Sequence, residues 1–387
     1  MEIILTIFCA LFFICLLLIN IYFNILTKMS KNKSLFFFLI FLLRTLIFII
    51  SLILFNHLIL SNDSYRYLYE INEISKNPFA WNPFTGEGTY GYDETPKMGM
   101  SYLYGVVAFI FNSDPFITSI ILNYYFSILT LVYLYKIFDL YLFTKITYII
   151  YFILAFHPEM FIWNIRILRE TLGIFLVVHI VYLLAKMIKQ KYNSIEIIYL
   201  IFNLVLLFLV RRQLILVALL GIIFWLSNIV RNKFKNRLIF YFSFLFFSIL
   251  LYFLIRIFFL PLFESVMGSH FSRLFLLDIN YIKLSLQTFI PNLLEIFSLK
   301  GEGYGLFNYL IIPFTLLKII MLCMLILNYI KLKDSTIRML IFIIILFYIT
   351  LILNNAINMR FAIYLTPLIF ISFSYILNEI LFTKRRI

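Results

Sequence analysis

Eleven long apolar runs constrain this chain more than any other feature of its sequence. A helix needs about 20 apolar residues to cross a lipid bilayer, within a range of roughly 17–25. Hydrophobic residues make up 64% of the 387 residues, whereas roughly 45–50% is usual in a soluble domain. The sequence therefore predicts an all-α polytopic membrane protein with about 11 transmembrane helices. The runs cover residues 3–26, 35–60, 117–135, 146–160, 170–186, 195–211, 213–229, 238–259, 306–329, 339–355 and 361–382.

The basic residues lie mainly in short segments between these runs, which is how membrane proteins mark their cytoplasmic side. A net charge of +14 would suggest nucleic acid in a soluble protein, but this placement favours membrane orientation, and no nucleic-acid partner is expected. We predict a multi-pass protein of the inner, cytoplasmic membrane with its N-terminus outside and its C-terminus in the cytoplasm. The predicted cytoplasmic residues are Lys28, Lys31, Lys33, Lys136, Lys145, Lys186, Lys189, Lys191, Arg231, Lys233, Lys235, Arg237, Lys331, Lys333, Arg338, Lys384, Arg385 and Arg386.

The remaining segments hold most of the acidic residues and are predicted to face outward. The stretch 99–112 is apolar but only about 14 residues long, so a juxtamembrane or re-entrant helix is expected there instead of a span. The chain, residues 1–387, is predicted to form a single transmembrane domain. Its first outward loop is the candidate for a catalytic segment, and its largest later loop, 260–305, is expected to be a lid over the substrate that accepts the transferred group. The outward segments are 61–116, 157–169, 211–213, 260–305 and 355–360.

The first outward loop opens with Ser-Asn-Asp-Ser-Tyr-Arg-Tyr-Leu-Tyr-Glu at residues 61–70. Short polar side chains cap helices, so a helix is predicted to begin at Ser61, Asn62 or Asp63. Asp63 is then either a helix cap alone or a carboxylate with a chemical role at the membrane surface. The patterning is that of an interfacial helix, with Tyr67, Leu68, Ile71 and Ile74 on one face and Arg66, Glu70 and Glu73 on another.

This loop resembles that of the C-type glycosyltransferases (GT-C superfamily), membrane enzymes that use sugars carried on polyprenyl phosphate. In the branch of the bacterial lipid A aminoarabinose and mannosyl transferases, the loop often begins Asp-Glu-x-Arg-Tyr just past a span. Residues 63–67 read Asp-Ser-Tyr-Arg-Tyr, so Ser64 replaces the second acidic residue. That branch later has Lys-Pro followed by a juxtamembrane aromatic helix. Lys97 with residues 101–111 is similar, although here Pro96 precedes the lysine.

Three further segments resemble the family in the order in which they occur along the chain. They are similar to its second outward loop, to its Thr-Arg-Pro turn without the proline, and to its Arg-Tyr-x-x-x-x-x-Pro entry to a late helix. Their order, spacing and shared outward placement extend the resemblance over roughly residues 35–380. The segments are 157–159 (His-Pro-Glu) with Arg166, Arg169 and Glu170, then 209–213 (Leu-Val-Arg-Arg-Gln), then 358–367 (Asn-Met-Arg-Phe-Ala-Ile-Tyr-Leu-Thr-Pro).

The resemblance implies an inverting transfer of a sugar from a polyprenyl-phosphate donor to a glycan, lipid or protein acceptor of the cell envelope. No cofactor is expected, and no His-x-x-x-His spacing or carboxylate cluster in the sequence indicates a metal site. The leaving group is already an anionic phosphate, so the reaction needs a carboxylate to accept a proton and cations to hold the phosphate. Asp63 is the candidate catalytic base. The candidate phosphate-binding residues are Lys97, Arg66, Arg211, Arg212 and Arg360, and the candidate acceptor-binding residues are His157 and Glu159.

Each of these charged residues also has a structural interpretation. Arg211 and Arg212 are alternatively interfacial side chains that extend toward water. Lys97 is alternatively a membrane anchor. Glu170 follows Arg166 by one helical turn, so a structural pair between these two side chains is expected.

Two other functions fit the same composition. A polymerase or ligase of the O-antigen type, acting on undecaprenyl diphosphate-linked glycans, would share the many spans, the outward arginines and the loop 260–305. It would not require the acidic and basic residues of the first loop. A transporter or lipid-linked glycan flippase would place charged residues and broken helices at mid-bilayer depth. The only basic residues predicted within spans are Arg44, Arg256 and Lys318, without a clear acidic partner at matching depth.

Overall fold

The structure is a computed structural model, and its described residues form α-helices without any strand. Those residues are 2–24, 31–54, 62–81, 99–141, 144–158, 160–161, 166–189, 193–211, 214–234, 237–254, 307–332, 334–353 and 363–383. The helices are α1 (Glu2–Asn24), α2 (Lys31–Leu54), α3 (Asn62–Lys76), α4 (Gly99–Phe111), α5 (Pro115–Asp139), α6 (Lys145–Ala155), α7 (Glu170–Lys189), α8 (Ser194–Val210), α9 (Ile215–Phe234), α10 (Arg237–Leu254), α11 (Phe307–Asn328), α12 (Ser335–Leu353) and α13 (Thr366–Thr383).

Each of the eleven apolar runs contains one of these helices, so the all-α prediction is confirmed. The two additional helices, α3 and α4, lie in the first loop that was predicted to face outward. Within the described residues, four apolar segments are long enough to cross a membrane, and such segments are typical of a membrane protein. These segments are Ile4–Tyr22, Lys33–Ile50, Pro115–Asp139 and Glu170–Lys189.

The helices group into two compact units. The first unit contains α1 to α6 in large part, the first half of α7 and the end of α8, and it holds the loop helices α3 and α4. The second unit contains the rest of the chain. Their residues are Met1–Asp139, Tyr148–His179 and Leu206–Arg211 in the first unit, and Leu140–Thr147, Ile180–Val205 and Arg212–Ile387 in the second.

In the first unit, α1 and α5 run in the same direction. Near the start of α1, the Thr6 hydroxyl accepts a hydrogen bond of 3.1 Å from the backbone N–H of Asp114, just before α5. Further along both helices, the rings of Phe13 and Tyr125 lie 5.4 Å apart. Because early residues meet early residues and later ones meet later ones, both helices begin at the same end of the unit.

The neighbouring helix α2 runs in the opposite direction. Its early residue Phe37 packs 4.5 Å from the ring of Tyr135, which lies late in α5. Its later residue Thr45 shares a hydrogen bond with Tyr124, which lies early in α5. The predicted topology makes α2 the second span and α5 the third, so strict alternation requires the two helices to be antiparallel, as they are.

Helix α7 again runs parallel to α5. The Asn123 side chain donates a hydrogen bond of 2.6 Å to the carbonyl of Arg166, just before α7 begins. Deeper along both helices, the rings of Tyr133 and His179 lie 4.1 Å apart. Helices α1, α5 and α7 therefore begin at one end of the first unit. We call it the loop end, because the loop helices α3 and α4 directly precede the start of α5 in the chain.

The two loop helices pack closely on each other. A Cβ atom on Gly105 of α4 would lie 2.6 Å from a side-chain atom of Ile74 on α3, so the backbones approach more closely than a larger residue permits. Tyr67, Ile71 and Ile74 are buried, which confirms that they share an apolar face of α3. Helix α4 has 13 residues and is about 20 Å long, too short for a hydrocarbon core of about 30 Å. The expected short helix is therefore present.

In the second unit, α9, α10 and α12 meet at an aromatic cluster. The ring of Phe342 on α12 lies 6.3 Å from Phe224 on α9 and 5.1 Å from Phe244 on α10. At the start of α12, Asp334 forms an ion pair of 3.2 Å with Lys189 at the end of α7. Charged and aromatic contacts thus hold the unit together at points where several helices converge.

Candidate functional site

The first turn of α4 packs directly against the end of α8. A Cβ atom built on Gly99 would lie 2.4 Å from the backbone carbonyl carbon of Leu209 and 2.5 Å from its oxygen. Only glycine allows this approach, because a backbone carbonyl cannot rotate away as a flexible side chain can. The first loop that was predicted to face outward is therefore joined to the segment that carries Arg211, two residues after Leu209.

The carboxylate of Glu70 joins α3 to the same turn of α4. Ser101 donates a hydrogen bond of 2.7 Å to Oε2 of Glu70, and Nε of Arg66 donates one of 3.1 Å to Oε1. The Glu70 side chain is 8% exposed and that of Arg66 is 37% exposed. Helix periodicity places Glu70 on a polar face with Arg66 and Glu73. In the structure α4 covers Glu70, so its carboxylate is buried while the Arg66 side chain stays partly accessible.

A second set of hydrogen bonds joins α4 to α5 and to the segment before α7. The Tyr104 hydroxyl donates a hydrogen bond of 2.7 Å to Oδ1 of Asn123, whose amide in turn donates to the Arg166 carbonyl. Burial raises the pKa of the Tyr104 phenol, so it remains a protonated donor at neutral pH. Asn123 thus uses both ends of its amide, and the two hydrogen bonds fix the position of residue 166 relative to α4.

Glu170 and Arg211 form a buried ion pair. The carboxylate lies 3.7 Å from the guanidinium, and the two side chains are 0% and 2% exposed respectively. Glu170 is the first residue of α7, where the helix dipole also stabilises a negative charge. The alternative in which Arg211 extends to a water interface is wrong, because the protein encloses its side chain. An isolated buried charge would be strongly unfavourable, so each of these groups stabilises the other.

A pair between Glu170 and Arg166 was expected from their spacing of four residues, and it stays a prediction. Residues 166–169 form bends and a turn, and α7 begins only at Glu170. The position of Arg166 is set by its backbone contact with Asn123. Glu170 also forms an ion pair with Arg211, which directly follows a different helix, α8.

These contacts form a closed circuit that includes α4. We call the polar residues of this circuit, together with Arg66 and Glu70 on α3, the polar cluster. From α4 the circuit passes to α5, to the segment before α7, to the end of α8, and back to the first turn of α4. All of these points lie at the loop end of the first unit. The polar cluster consists of Arg66, Glu70, Ser101, Tyr104, Asn123, Glu170 and Arg211.

Two of the predicted site residues, Arg66 and Arg211, belong to the polar cluster, where Arg66 pairs with Glu70 and Arg211 pairs with Glu170. His157 is fully buried two residues beyond the end of α6, and its backbone carbonyl accepts a hydrogen bond from the N–H of Phe161. Asp63 is the second residue of α3, within its first turn. The convergence of Asp63 with the cations stays a prediction. Lying outside the described residues are Lys97, Glu159, Arg212, Arg360 and the loop 260–305.

Arg44, one of the three basic residues predicted within spans, contacts other parts of the first unit. Its guanidinium donates hydrogen bonds to the hydroxyl of Ser127, at 2.8 Å, and to the backbone carbonyl of Ala155. Ala155 is the last residue of α6, where the helix dipole favours a positive charge. These contacts give Arg44 a structural role. Lys318 is also buried, in the second unit, and Arg256 lies outside the described residues.

Five members of the polar cluster were not candidate site residues from the sequence, and one of them, Glu170, was expected only in a structural pair. Glu70 and Ser101 lie close in the fold but are 31 positions apart in the chain. Tyr104 and Asn123 are single polar groups within apolar stretches. Asn123 carried the one usable signal, because an amide inside a predicted span must find partners within the protein.

Comparisons with protein-family models, with curated proteins and with solved structures found no match to this chain.

Proposed function

We propose that this protein is a membrane glycosyltransferase that moves a sugar from a polyprenyl-phosphate carrier to a glycan, lipid or protein acceptor on the outer face of the membrane. The observation that carries the proposal is the polar cluster, in which the first-loop helices α3 and α4 are joined by buried polar contacts to the ends of α7 and α8. A purely lipid-facing bundle has no need of two arginines, two glutamates and an asparagine gathered at one end. Buried polar groups in a membrane protein are costly and are usually functional.

The proposal includes eleven spans, an outer N-terminus and a cytoplasmic C-terminus. It is supported by the helix directions in the first unit, where α1, α5 and α7 run together and α2 runs against them. It is also supported by the positions of the basic residues, since Lys33 and Lys136 lie at the end opposite the polar cluster. By the positive-inside rule, the loop end then faces outward. This orientation gives the polar cluster access to a lipid-linked substrate at the outer membrane surface.

The proposed chemistry is a displacement at the anomeric carbon of the donor sugar. Asp63 takes the proton from the attacking acceptor hydroxyl, the new glycosidic bond forms with inversion, and the lipid phosphate leaves as an anion. Arg66 is the described cation best suited to meet that phosphate, because its side chain is partly exposed and its Nε is fixed by Glu70. Lys97 is proposed to add a second positive charge from the same loop.

Arg211 has a different place in the proposal from the one that its outward position suggested. Its charge is already matched by Glu170 within a buried pair. It therefore contributes mainly by holding the end of α8 against the start of α7. His157, Glu159, Arg212 and Arg360 remain candidates for binding the acceptor or the donor phosphate.

The test is transfer by the purified protein in liposomes with two donor classes. One carries a radiolabelled monosaccharide on polyprenyl phosphate, and the other carries a radiolabelled oligosaccharide on polyprenyl diphosphate, with cell-envelope extract as the acceptor source. We expect label to leave the monophosphate donor and enter an acceptor. Transfer from the diphosphate donor alone would support a polymerase or ligase instead. Movement of either lipid between leaflets, without loss of label from it, would support a flippase.

A further inference from the structure

The Arg66 side chain is held in place by a glutamate that has no assigned role. Arg66 and Glu70 lie one helical turn apart on α3, and their contact at 3.1 Å uses Nε of the guanidinium. A pair of this spacing on an exposed helix contributes little to stability. Here the geometry is more restrictive, because the carboxylate is buried and its second oxygen is bound by Ser101 at 2.7 Å.

The two oxygens of the Glu70 carboxylate therefore contact residues on different helices. Oε1 contacts a residue of α3, and Oε2 contacts the first turn of α4, which Gly99 anchors to the end of α8. A carboxylate held on one side cannot follow Arg66 if that side chain swings. The carboxylate instead favours Arg66 conformers in which Nε stays within hydrogen-bonding distance. The Arg66 side chain therefore has less conformational entropy to lose when a ligand binds.

The two exposures indicate which residue meets the ligand. Arg66 retains 37% of its side-chain surface, whereas Glu70 retains 8%. An anionic ligand can approach the guanidinium from the exposed side without displacing the carboxylate behind it. Arginine has five N–H donors, so a partly exposed guanidinium can bind a phosphate while its Nε bonds to a carboxylate.

We infer that Glu70 is a positioning residue, which acts through Arg66 to bind the phosphate of a lipid-linked donor and through Ser101 to tie that binding to α4. The inference rests on the proposed function, since it names the residue that orients one of its cations. Glu70 does not touch the reacting atoms, and its contribution is geometric. The reach of its side chain is therefore expected to matter more than its charge.

Glu73 provides a matched control. It lies on the same helix and pairs with Lys76 at 2.6 Å, but both of these side chains are much more exposed than Glu70. Truncation of Glu73 removes a glutamate and an ion pair without altering the contacts of Arg66 or Ser101. We expect Glu73→Ala to keep the parent KM for the donor and the parent kcat.

The experiment measures donor KM and kcat for Glu70→Ala, Arg66→Ala and the double variant, with direct binding of sugar-free polyprenyl phosphate measured in parallel. Loss of a hydrogen bond to a charged group corresponds to about a tenfold change in affinity or more, so we expect Glu70→Ala to raise KM about tenfold. Its kcat should fall by much less. The double variant should be within about twofold of Arg66→Ala, because the two residues act as one unit.

Two conservative variants keep the test decisive if Glu70→Ala folds poorly. Glu70→Gln retains an acceptor for Arg66 and a polar group toward Ser101, so we expect its KM within about threefold of the parent. Glu70→Asp keeps the charge but is one methylene too short to reach both partners, so its KM should rise more. The reverse order for these two variants, or additive effects in the double variant, would overturn the inference.

These results separate the inference from the function on which it rests. A parent protein that neither binds polyprenyl phosphate nor uses its sugar conjugates refutes the proposed function and the inference together. A parent that binds polyprenyl phosphate, while Glu70→Ala leaves that binding unchanged, refutes the role of Glu70 alone.

Discussion

Glu170 and Arg211 form a buried ion pair that links the first residue of α7 to the segment directly after α8. Removal of either partner leaves an uncompensated charge inside the protein. We expect Glu170→Ala or Arg211→Ala to lower the free energy of unfolding by about 3–5 kcal/mol. Denaturant titration in detergent, followed by circular dichroism, measures this loss.

A double replacement provides the control for that prediction. Glu170→Leu combined with Arg211→Met removes both charges together and fills a similar volume, so it should be more stable than either single alanine variant. A loss below about 1 kcal/mol in both single variants would show that the pair behaves like an exposed one and would contradict its buried placement.

The contact between Gly99 and Leu209 predicts unequal costs for two glycine substitutions. Gly99→Ala would place a Cβ atom 2.4 Å from a backbone carbonyl carbon, so we expect a loss of about 1–3 kcal/mol from the forced displacement of the α8 end. Gly221→Ala is the control. Its Cβ would lie 2.7 Å from the Cδ1 atom of Leu184, which can rotate away, and alanine is the better helix former. Thermal unfolding of the two variants should rank Gly99→Ala clearly below Gly221→Ala.

Much of the helical architecture was predictable from the sequence, because spans must be apolar and of a minimum length. Each apolar run contains a helix, and α4 is short, as its 13 residues allow. The buried face of α3 at Tyr67, Ile71 and Ile74 also follows from helical periodicity. These features depend on local sequence, which is why a single chain was sufficient to predict them.

The polar cluster was only partly predictable, because its contacts are made between distant parts of the chain. Arg66 and Arg211 were candidates through their position in outward segments, but their partners were not. Neither the covering of Glu70 by α4 nor the pairing of Glu170 with Arg211 follows from local spacing. Both contacts depend on tertiary packing, because packing determines which charged side chains are buried and which neighbour can pair with them.

The orientation of the chain predicts which exposed residues an impermeant reagent reaches. Phe79, at the turn after α3, is 88% exposed and is predicted to lie outside. Lys331, in the turn after α11, is also exposed and is predicted to lie in the cytoplasm. In a background with Cys9, Cys15 and Cys323 replaced, Phe79→Cys should react with an impermeant maleimide in intact cells and Lys331→Cys should react only after permeabilisation. The opposite pattern would reverse the topology.

The role of Lys97 can be tested against a neighbouring surface lysine. Lys97 is predicted to be a surface cation, and such a cation contributes little to stability. We therefore expect Lys97→Ala to raise the KM for a polyprenyl-phosphate donor while the melting temperature stays at the parent value. Lys76→Ala is the matched control, since Lys76 lies in the same loop and pairs with Glu73 at the surface. Equal donor KM values in the two variants would assign Lys97 to membrane anchoring.

Asp63 distinguishes catalysis from helix capping, because it lies in the first turn of α3 and both roles require an oxygen there. Asparagine caps a helix as well as aspartate does but cannot accept the proton of an attacking hydroxyl. The most direct measurement is the rate of sugar transfer from radiolabelled polyprenyl-phosphate sugar by purified Asp63→Asn, with protein level and melting temperature recorded beside it. We expect a loss of about 100-fold or more in rate with nearly unchanged stability, and Asp63→Glu serves as the second variant if Asp63→Asn misfolds. Transfer by folded Asp63→Asn at the parent rate would contradict the assignment of Asp63 as the catalytic base.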